Sequence, residues 1–171
     1  MKENFKKPAL FLDRDGVINK DLGYVSKIED FCFCDGIFEA LAEFAAAGYM
    51  LVVVTNQSGI GRGYYSLSDF NVLNEYMLDS FCQNGVKIEK VYYCPHSPDE
   101  ACQCRKPAAG MLLAAQNELN IDMAKSVMIG DKQSDIVAAT AAGVGRAYLL
   151  DKNPYASVMD VLKDMKQKGI I

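Results

Sequence analysis

The sequence lacks long hydrophobic runs and any excess of positive charge. No apolar stretch approaches the roughly 20 residues that a helix needs to cross a bilayer. Residues 1–8 are polar and do not contain the apolar stretch of a secretory signal. A formal net charge of −4 argues against broad binding to nucleic acids or membrane surfaces, which favours a basic face. We therefore expect a cytoplasmic protein with no nucleic-acid and no membrane partner.

Histidine is almost absent, whereas cysteine is not: the 171 residues contain one histidine and six cysteines. In a reducing compartment these thiols are not expected to form structural disulfides. Hydrophobic residues make up 50% of the chain and charged residues 23%, which is typical of a globular protein. The length predicts one domain spanning residues 1–171. Because no exposed apolar stripe is recognisable in the sequence, we expect a monomer.

Apolar, β-branched segments alternate with amphipathic ones along the chain. Strands are predicted at 9–12, 50–54, 90–93, 126–129 and 146–150. Helices are predicted at 37–47, from a capping box at Ser66 to Gly85, at 109–119 and at 136–142, with a terminal helix beginning at Asn153-Pro154. The alternation predicts an α/β fold, a three-layer Rossmann-like parallel sheet. The loop at 20–26 is too short for a separate lid domain, so the cap is minimal.

Polar side chains follow the predicted strands, at the edge where the carboxyl ends of parallel strands meet. Asp13 and Asp15 come directly after the first strand, and two acids there are poor core residues because uncompensated buried charge is costly. Taken alone, the Asp-x-Asp-Gly pattern also fits a turn with solvated acids. Further polar residues reach the same edge from later in the chain: Thr55, Asn56, Arg105, Lys106, Asp131 and Asp135. Together they predict an active site.

Three thiols and the single imidazole lie within eleven residues, after the third strand: Cys94, His96, Cys102 and Cys104. Thiolates with an imidazole suit tetrahedral zinc, and four protein ligands leave no open position for catalysis. We therefore predict a structural zinc that ties the loop together, the alternative being four unrelated polar loop residues. Cys32 and Cys34 have a spacing that metal ligands also show, but they are interpreted as small hydrophobic residues, and Cys82 as a core or boundary residue.

Four segments of the chain resemble the motifs of the haloacid dehalogenase superfamily of phosphotransferases. They are Asp13-Arg14-Asp15-Gly16, Thr55-Asn56, Lys106-Pro107 and Gly130-Asp131 through Asp135. The resemblance implies that Asp13 is the nucleophile that attacks phosphorus and that Asp15 is the general acid and base. It implies Mg²⁺ held by the Asp13 carboxylate, the Asp15 main-chain carbonyl and Asp131. Hydrogen bonds and positive charge at the phosphoryl group would come from Thr55, Asn56 and Lys106.

The resemblance also implies a phosphorylated sugar as the substrate. The first expectation is removal of the C7 phosphate of D-glycero-D-manno-heptose 1,7-bisphosphate, in nucleotide-activated heptose and lipopolysaccharide biosynthesis. The alternative is histidinol phosphate, in histidine biosynthesis. Candidate substrate-binding residues are Asn19, Gly23, Tyr24 and Val25 for sugar hydroxyls, Arg62 and Arg105 for a second phosphate, and Asn56 and Lys132 close to the reacting phosphate. Lys132 could equally be an exposed cation, and Asp135 an acid at the start of a helix.

Two further function classes use part of this pattern. A receiver-type signalling domain also carries an aspartyl-phosphate site with Mg²⁺, a threonine and a lysine on a parallel sheet. The second acid Asp15, the cysteine-rich loop and a nucleophile on the first strand argue against it. A zinc-dependent binding module with an inactive site is the other alternative, but no motif residue is missing.

Overall fold

The computed structural model describes residues 5–151 and 153–171. Within these residues there are five strands: β1 (Ala9–Leu12), β2 (Met50–Asn56), β3 (Ile88–Cys94), β4 (Val127–Gly130) and β5 (Arg146–Leu149). The helices are α1 (Ile37–Ala46), α2 (Ser58–Gly61), α3 (Leu67–Gln83), α4 (Gly110–Leu119), α5 (Gln133–Ala141) and α6 (Val158–Gln167). Short 3₁₀ helices cover Ile28–Asp30 and Met123–Lys125. In the described part of the chain, no helix is long and apolar enough to span a membrane.

The strands form one parallel sheet in the order β3-β2-β1-β4-β5. The first strand of the chain is therefore central, with β2 and β4 on either side. Since neighbouring strands run the same way, the ends of β1, β2, β3 and β4 meet at one edge. This arrangement confirms the predicted α/β fold and brings the segments after Leu12, Asn56 and Gly130 together.

The helices lie on both faces of the sheet and bury its alternating side chains. On β1, Leu10 and Leu12 belong to a core formed with α1, α3 and α6. Ala9 and Phe11 face the opposite way, into a second core formed with α4 and α5. All four β1 side chains are fully buried, as expected for the central strand of a parallel sheet covered on two sides.

Several elements begin elsewhere than the sequence predicted. The terminal helix begins after Ser157 and not at Asn153-Pro154, because Ser157 and Asp160 form a reciprocal capping box. The glycine-rich segment after β2 forms the short helix α2. In the segment 31–36, Phe33 forms an isolated bridge with Asn19.

The isolated cysteines also differ from expectation. Cys82, on α3, is exposed and is not a core residue. Cys32 is exposed as well, whereas Cys34 is half-buried, as a small packing residue would be. All six cysteines are free thiols.

Candidate active site

A cavity of about 500 Å³ opens at the sheet edge where β1, β2 and β4 end. Its lining combines acids, cations, amides and aromatic residues from four parts of the chain. They are Asp13, Asp15, Asp21, Gly23, Tyr24, Asn56, Gln57, Ser58, Tyr65, Arg105, Lys106, Pro107, Lys132, Ser134 and Asp135. Predicted site residues at the ends of β1, β2 and β4 thus meet around one cavity, whereas Thr55 and Asp131 are not in its lining.

Asp13 is the first residue after β1, and its carboxylate is held from two sides. Its Oδ1 accepts a hydrogen bond from the Arg14 main-chain N–H at 2.8 Å. The same oxygen forms an ion pair with Lys106 Nζ at 3.1 Å. Only 6% of the residue is exposed, so a carboxylate is fixed in place at the base of the cavity.

Lys106 is a buried cation shared by two acids. Its Nζ lies 3.1 Å from Asp13 Oδ1 and 2.6 Å from Asp135 Oδ1, and it donates to the Val54 carbonyl at 2.7 Å. Burial opposes its ionisation, but Asp13 and Asp135 more than offset this, so the pKa of Lys106 is raised. The lysine therefore stays charged beside Asp13.

Asp131 completes a cluster of three acids, with ligand oxygens of Asp13, Asp131 and Asp135 within 4.8 Å of one another. Burial, followed by the neighbouring Asp13 carboxylate, raises the pKa of Asp131 to about 7. Its Oδ1 is buried and has no hydrogen-bond partner among the described residues. Crowded carboxylates with an unpartnered oxygen fit a hard divalent cation such as Mg²⁺. Both oxygens of Asp135 already accept, from Lys106 and from the Lys132 main-chain N–H, which leaves Asp13 and Asp131 as the stronger ligand candidates.

The main chain at Gly16 explains how Asp131 comes so close. Gly16 has φ +85°, a conformation that favours glycine, and a Cβ there would collide with the Asp131 carboxyl group. Because the turn carries no side chain, the acid after β4 packs directly against the turn after β1.

Asp15 lies at the cavity wall, and three side chains donate to its carboxylate. Arg14 Nη2 and Asn19 Nδ2 each donate to Oδ1 at 3.0 Å. Gln57 Nε2 donates to Oδ2, also at 3.0 Å. The Asp15 side chain is 18% exposed, so its carboxylate reaches the cavity while these hydrogen bonds fix its orientation.

Thr55 and Asn56 end β2 but have different surroundings. Thr55 is fully buried, and its Oγ1 accepts a hydrogen bond from Gln57 Nε2 at 2.9 Å. Asn56 lines the cavity and pairs with the main chain of Lys106 through both ends of its amide. Its Oδ1 accepts from the Lys106 N–H at 3.0 Å, and its Nδ2 donates to the Lys106 carbonyl at 3.1 Å.

The four predicted zinc ligands converge in the loop after β3. Cys104 Sγ lies 2.8 Å from Cys94 Sγ and 3.2 Å from His96 Nδ1, and Cys94 Sγ lies 3.7 Å from Cys102 Sγ. All four ligand atoms lie within 4.8 Å of one another. The main-chain N–H of Arg105 lowers the pKa of the Cys102 thiol to about 7. This donor set fits a tetrahedral zinc ion with no position left for substrate.

The predicted substrate-binding residues divide into two groups. Gly23, Tyr24, Arg105 and Lys132 line the cavity, in addition to Asn56. Arg105 Nη1 is buried without a hydrogen-bond partner among the described residues. Tyr24 has the unusual φ of +49°, and its ring packs edge-to-face on Tyr64, with centroids 4.7 Å apart. This contact offsets the backbone strain and holds the Tyr24 ring at the rim of the cavity.

Three predicted substrate-binding residues lie outside the lining. Asn19 is fully buried, because it donates inward to Asp15 and to the Lys20 carbonyl. The Val25 side chain is in the core, and its carbonyl accepts from Arg14 Nη2 at 2.8 Å. Arg62 is exposed at the end of α2. The structure therefore does not bring these three side chains to the cavity lining: Asn19 and Val25 contact Asp15 and Arg14, and Arg62 is exposed at the end of α2.

Sequence reasoning missed three side chains that organise the site. Arg14 is 1% exposed and connects Asp15 to the loop at Val25. Gln57 and Tyr65 are also buried, and they hydrogen-bond to each other behind Asp15. A charged residue between two functional acids was the available signal for Arg14, since its burial requires partners. No local pattern marks Gln57 or Tyr65.

Comparison with known proteins agrees with this geometry. The HAD-hydrolase-like family profile matches residues 103–151. A Campylobacter jejuni protein named D-glycero-alpha-D-manno-heptose-1,7-bisphosphate 7-phosphatase is 49% identical over 173 residues, covering 96% of this chain and 99% of that protein. The chain belongs to the heptose-1,7-bisphosphate 7-phosphatase family of HAD-like hydrolases.

Two more members of the family bear on the site. A Vibrio cholerae protein named D-glycero-beta-D-manno-heptose-1,7-bisphosphate 7-phosphatase is 54% identical over 84% of this chain and 81% of its own. The crystal structure of D,D-heptose 1,7-bisphosphate phosphatase from B. bronchiseptica, complexed with magnesium and phosphate, superposes with a TM-score of 0.84. It is 28% identical and covers 94% of this chain and 99% of that chain.

Proposed function

We propose that this chain is a Mg²⁺-dependent phosphatase that removes the C7 phosphate of D-glycero-D-manno-heptose 1,7-bisphosphate. The observation that carries the proposal is the pairing of Asp13 with Asp15 at one cavity, with the buried cation Lys106 beside the first acid. Relatives that are about half identical over most of the chain carry the name of this activity. The product, heptose 1-phosphate, would enter nucleotide-activated heptose and lipopolysaccharide biosynthesis.

The mechanism starts with Asp13 as the nucleophile. Its Oδ1 is engaged by the Arg14 N–H and Lys106, so Oδ2 attacks phosphorus. The P–O7 bond breaks as the new O–P bond forms, and Asp15 gives its proton to the departing sugar oxygen. Asp15, now ionised, takes a proton from a water molecule that attacks the aspartyl-phosphate, releasing inorganic phosphate and regenerating Asp13.

Positive charge around the transferring group comes from fixed residues of this chain. Lys106 lies beside the attacking carboxylate, and Arg105 and Lys132 line the same cavity. When bound, Mg²⁺ would be held by Asp13, Asp131 and the main-chain carbonyl of Asp15, and it would neutralise charge on the phosphoryl oxygens. The Thr55 hydroxyl and the Asn56 amide, at the end of β2, would donate to that group through the hydrogens that their contacts with Gln57 and Lys106 do not use.

The zinc ion has a separate, structural role in this proposal. Cys94, His96, Cys102 and Cys104 would bind it, closing the loop that ends at Arg105. Fixing this loop limits the motion of Arg105, whose buried Nη1 would bind the second phosphate of the substrate. Tyr24 and Gly23 would contact the sugar at the rim. Cysteines that bind zinc or remain as thiols, with none in a disulfide, fit the reducing conditions of the cytoplasm, and we propose a monomeric, single-domain enzyme there.

The test is phosphate release by the purified protein, with Mg²⁺ present and absent. The substrates are the α and β anomers of the heptose 1,7-bisphosphate, with histidinol phosphate and a heptose 1-phosphate alongside. We expect rapid Mg²⁺-dependent release from a bisphosphate and little from the 1-phosphate, because the C7 phosphate is the one removed. The Asp13→Asn variant is the control, and it should be folded and inactive.

Each outcome has a distinct meaning. Preference for one heptose anomer supports the proposal and identifies the substrate form. Preference for histidinol phosphate contradicts the substrate and assigns the same catalytic residues to another pathway. Near-normal activity of the Asp13→Asn variant would contradict the nucleophile assignment.

A further inference from the structure

One buried hydroxyl at the cavity takes no part in the steps above. Tyr65 lies in the turn between α2 and α3 and is 9% exposed. Its hydroxyl donates to Gln57 Oε1, with 2.5 Å between the two oxygens. Burial raises the pKa of Tyr65 to about 12, so the phenol keeps its proton at neutral pH. It is therefore a permanent donor aimed at one end of the Gln57 amide.

The other end of the same amide serves the proposed proton donor. Gln57 Nε2 donates to Asp15 Oδ2 at 3.0 Å and to Thr55 Oγ1 at 2.9 Å. A primary amide carries two donor hydrogens on nitrogen and an acceptor oxygen at fixed angles. Holding the oxygen toward the phenol therefore holds the nitrogen toward Asp15. An amide rotated by half a turn would place its oxygen against the Asp15 carboxylate.

The Tyr65 ring packs against Gly59, where a side chain would not fit. A Cβ on Gly59 would collide with the Tyr65 ring, and the Gly59 carbonyl accepts from the Tyr64 N–H at 2.8 Å. The helix α2 and the turn after it thus fix the ring from two sides. The position of the Tyr65 hydroxyl is therefore set by the contact of its ring with the main chain at Gly59.

We propose that Tyr65 is a positioning residue that acts through Gln57 to hold the Asp15 carboxylate in the orientation needed for proton transfer. The inference rests on the proposed function, because it takes Asp15 as the group that protonates the leaving oxygen. Arg14 and Asn19 both donate to Oδ1, whereas Gln57 donates to Oδ2. Without the Tyr65 hydroxyl, the Gln57 amide can rotate by half a turn, and Oδ2 then loses this donor while the two donors to Oδ1 remain.

The expected signature is a loss of rate without a loss of binding. Asp15 makes its decisive contribution while the proton is transferred, so Tyr65→Phe should lower kcat about fivefold and leave KM unchanged. The effect of Tyr65→Phe on the rate should also depend on the leaving group of the substrate. A sugar alkoxide needs protonation, whereas nitrophenolate leaves unprotonated, so the first turnover of p-nitrophenyl phosphate should keep its wild-type rate. Hydrolysis of the aspartyl-phosphate, which needs Asp15 as base, should then slow and produce a burst of nitrophenolate.

The experiment is a double-mutant cycle on the full-length, zinc- and magnesium-loaded protein. The variants are Tyr65→Phe, Gln57→Met and the double variant, and each is assayed with the heptose bisphosphate and with p-nitrophenyl phosphate. Tyr93→Phe is the matched control, because that ring packs on Phe70, with centroids 4.5 Å apart, outside the cavity lining. Thermal unfolding of every variant reports whether the fold is intact.

We expect Tyr65→Phe to slow the sugar substrate in the wild-type background and to have no further effect in the Gln57→Met background. An unchanged kcat, an effect confined to KM, or an equal further loss in the Gln57→Met background would overturn the proposal. The wild-type protein could fail to hydrolyse heptose bisphosphate and still hydrolyse p-nitrophenyl phosphate through Asp13. That result would contradict only the proposed substrate. In that case the burst and the cycle, measured with the aryl phosphate, still decide the role of Tyr65.

Discussion

Replacing Lys106 by methionine should destabilise the protein far more than removal of a surface charge does. The lysine side chain is 1% exposed, as is that of Asp135, which lies 2.6 Å from the ammonium group. The variant would leave the Asp135 and Asp13 carboxylates and the Val54 carbonyl without their shared cation. Breaking a buried ion pair by removing one partner costs about 3–5 kcal/mol of unfolding free energy. For a protein of this size, we expect Tm to fall by about 10 °C or more.

The assay is thermal and urea unfolding followed by circular dichroism, with zinc retained and magnesium omitted so that no added cation substitutes for the lysine. Lys125→Met is the matched control: its side chain is 77% exposed and its partner Asp122 lies 3.5 Å away. Such an exposed pair contributes about 0–1 kcal/mol. The second comparison is Lys106→Met with Asp135→Asn, which removes the uncompensated charge and should recover part of the lost stability.

A loss of stability in Lys106→Met no larger than that in Lys125→Met would contradict this prediction. A further loss of stability when Asp135→Asn is added to Lys106→Met would contradict it as well. Either result would mean that the Asp135 carboxylate is not held in place by the lysine. Catalytic activity is a poor readout here, because Lys106 also touches the proposed nucleophile.

Three other predictions concern the metals and the rim. The pKa of Asp131 is raised from 3.8 to about 7. Its contribution to the stability of magnesium-free protein should therefore fall as the pH rises from about 4 to about 7. Over the same rise in pH, Mg²⁺ should bind more tightly, because its binding releases the Asp131 proton. Calorimetry in buffers of different ionisation enthalpy measures this, and a pH-independent affinity between about 6 and 8 would contradict it. Cys102→Ser should lower zinc content and Tm together, whereas Cys82→Ser, at an exposed thiol on α3, should change neither; full zinc stoichiometry in the former would exclude the proposed zinc site. Tyr64→Ala should raise KM for the sugar substrate about threefold by releasing the Tyr24 ring, and Tyr64→Phe should restore it; equal KM values in the two variants would show that the ring contact is irrelevant.

The sheet and the positions of its acids follow from local sequence. Val52, Val53 and Val54 form a β-branched run that ends in polar residues, and such a run is typical of a buried strand. The cysteine–histidine spacing likewise identified four side chains that the structure brings together. These features could be predicted because each depends on residues close together in the chain.

The partners of each acid could not be predicted in the same way. Gln57 reaches Asp15 across 42 residues of sequence, and its other contacts depend on how the turn around Tyr65 packs. Asn19 was expected to meet the substrate, but the tight turn after β1 directs its amide inward to Asp15. The start of α6 was predicted at Asn153 because proline suits a first helical turn, yet the capping box at Ser157 satisfies two main-chain donors and determines the boundary.

The double hydrogen bond between Asn56 and the Lys106 main chain bears on how the cysteine-rich loop can vary in length. That loop leaves the sheet at Cys94, which is aligned with Asn56 in the β2–β3 register, and returns at Lys106, which Asn56 holds by both its N–H and its carbonyl. Asn56 therefore contacts the chain both where the loop leaves the sheet and where it returns. Insertions or deletions between His96 and Cys102 would change the outer contour of the loop without moving the lysine. The protein can in this way alter the surface that faces its substrate while the position of its buried cation stays constant.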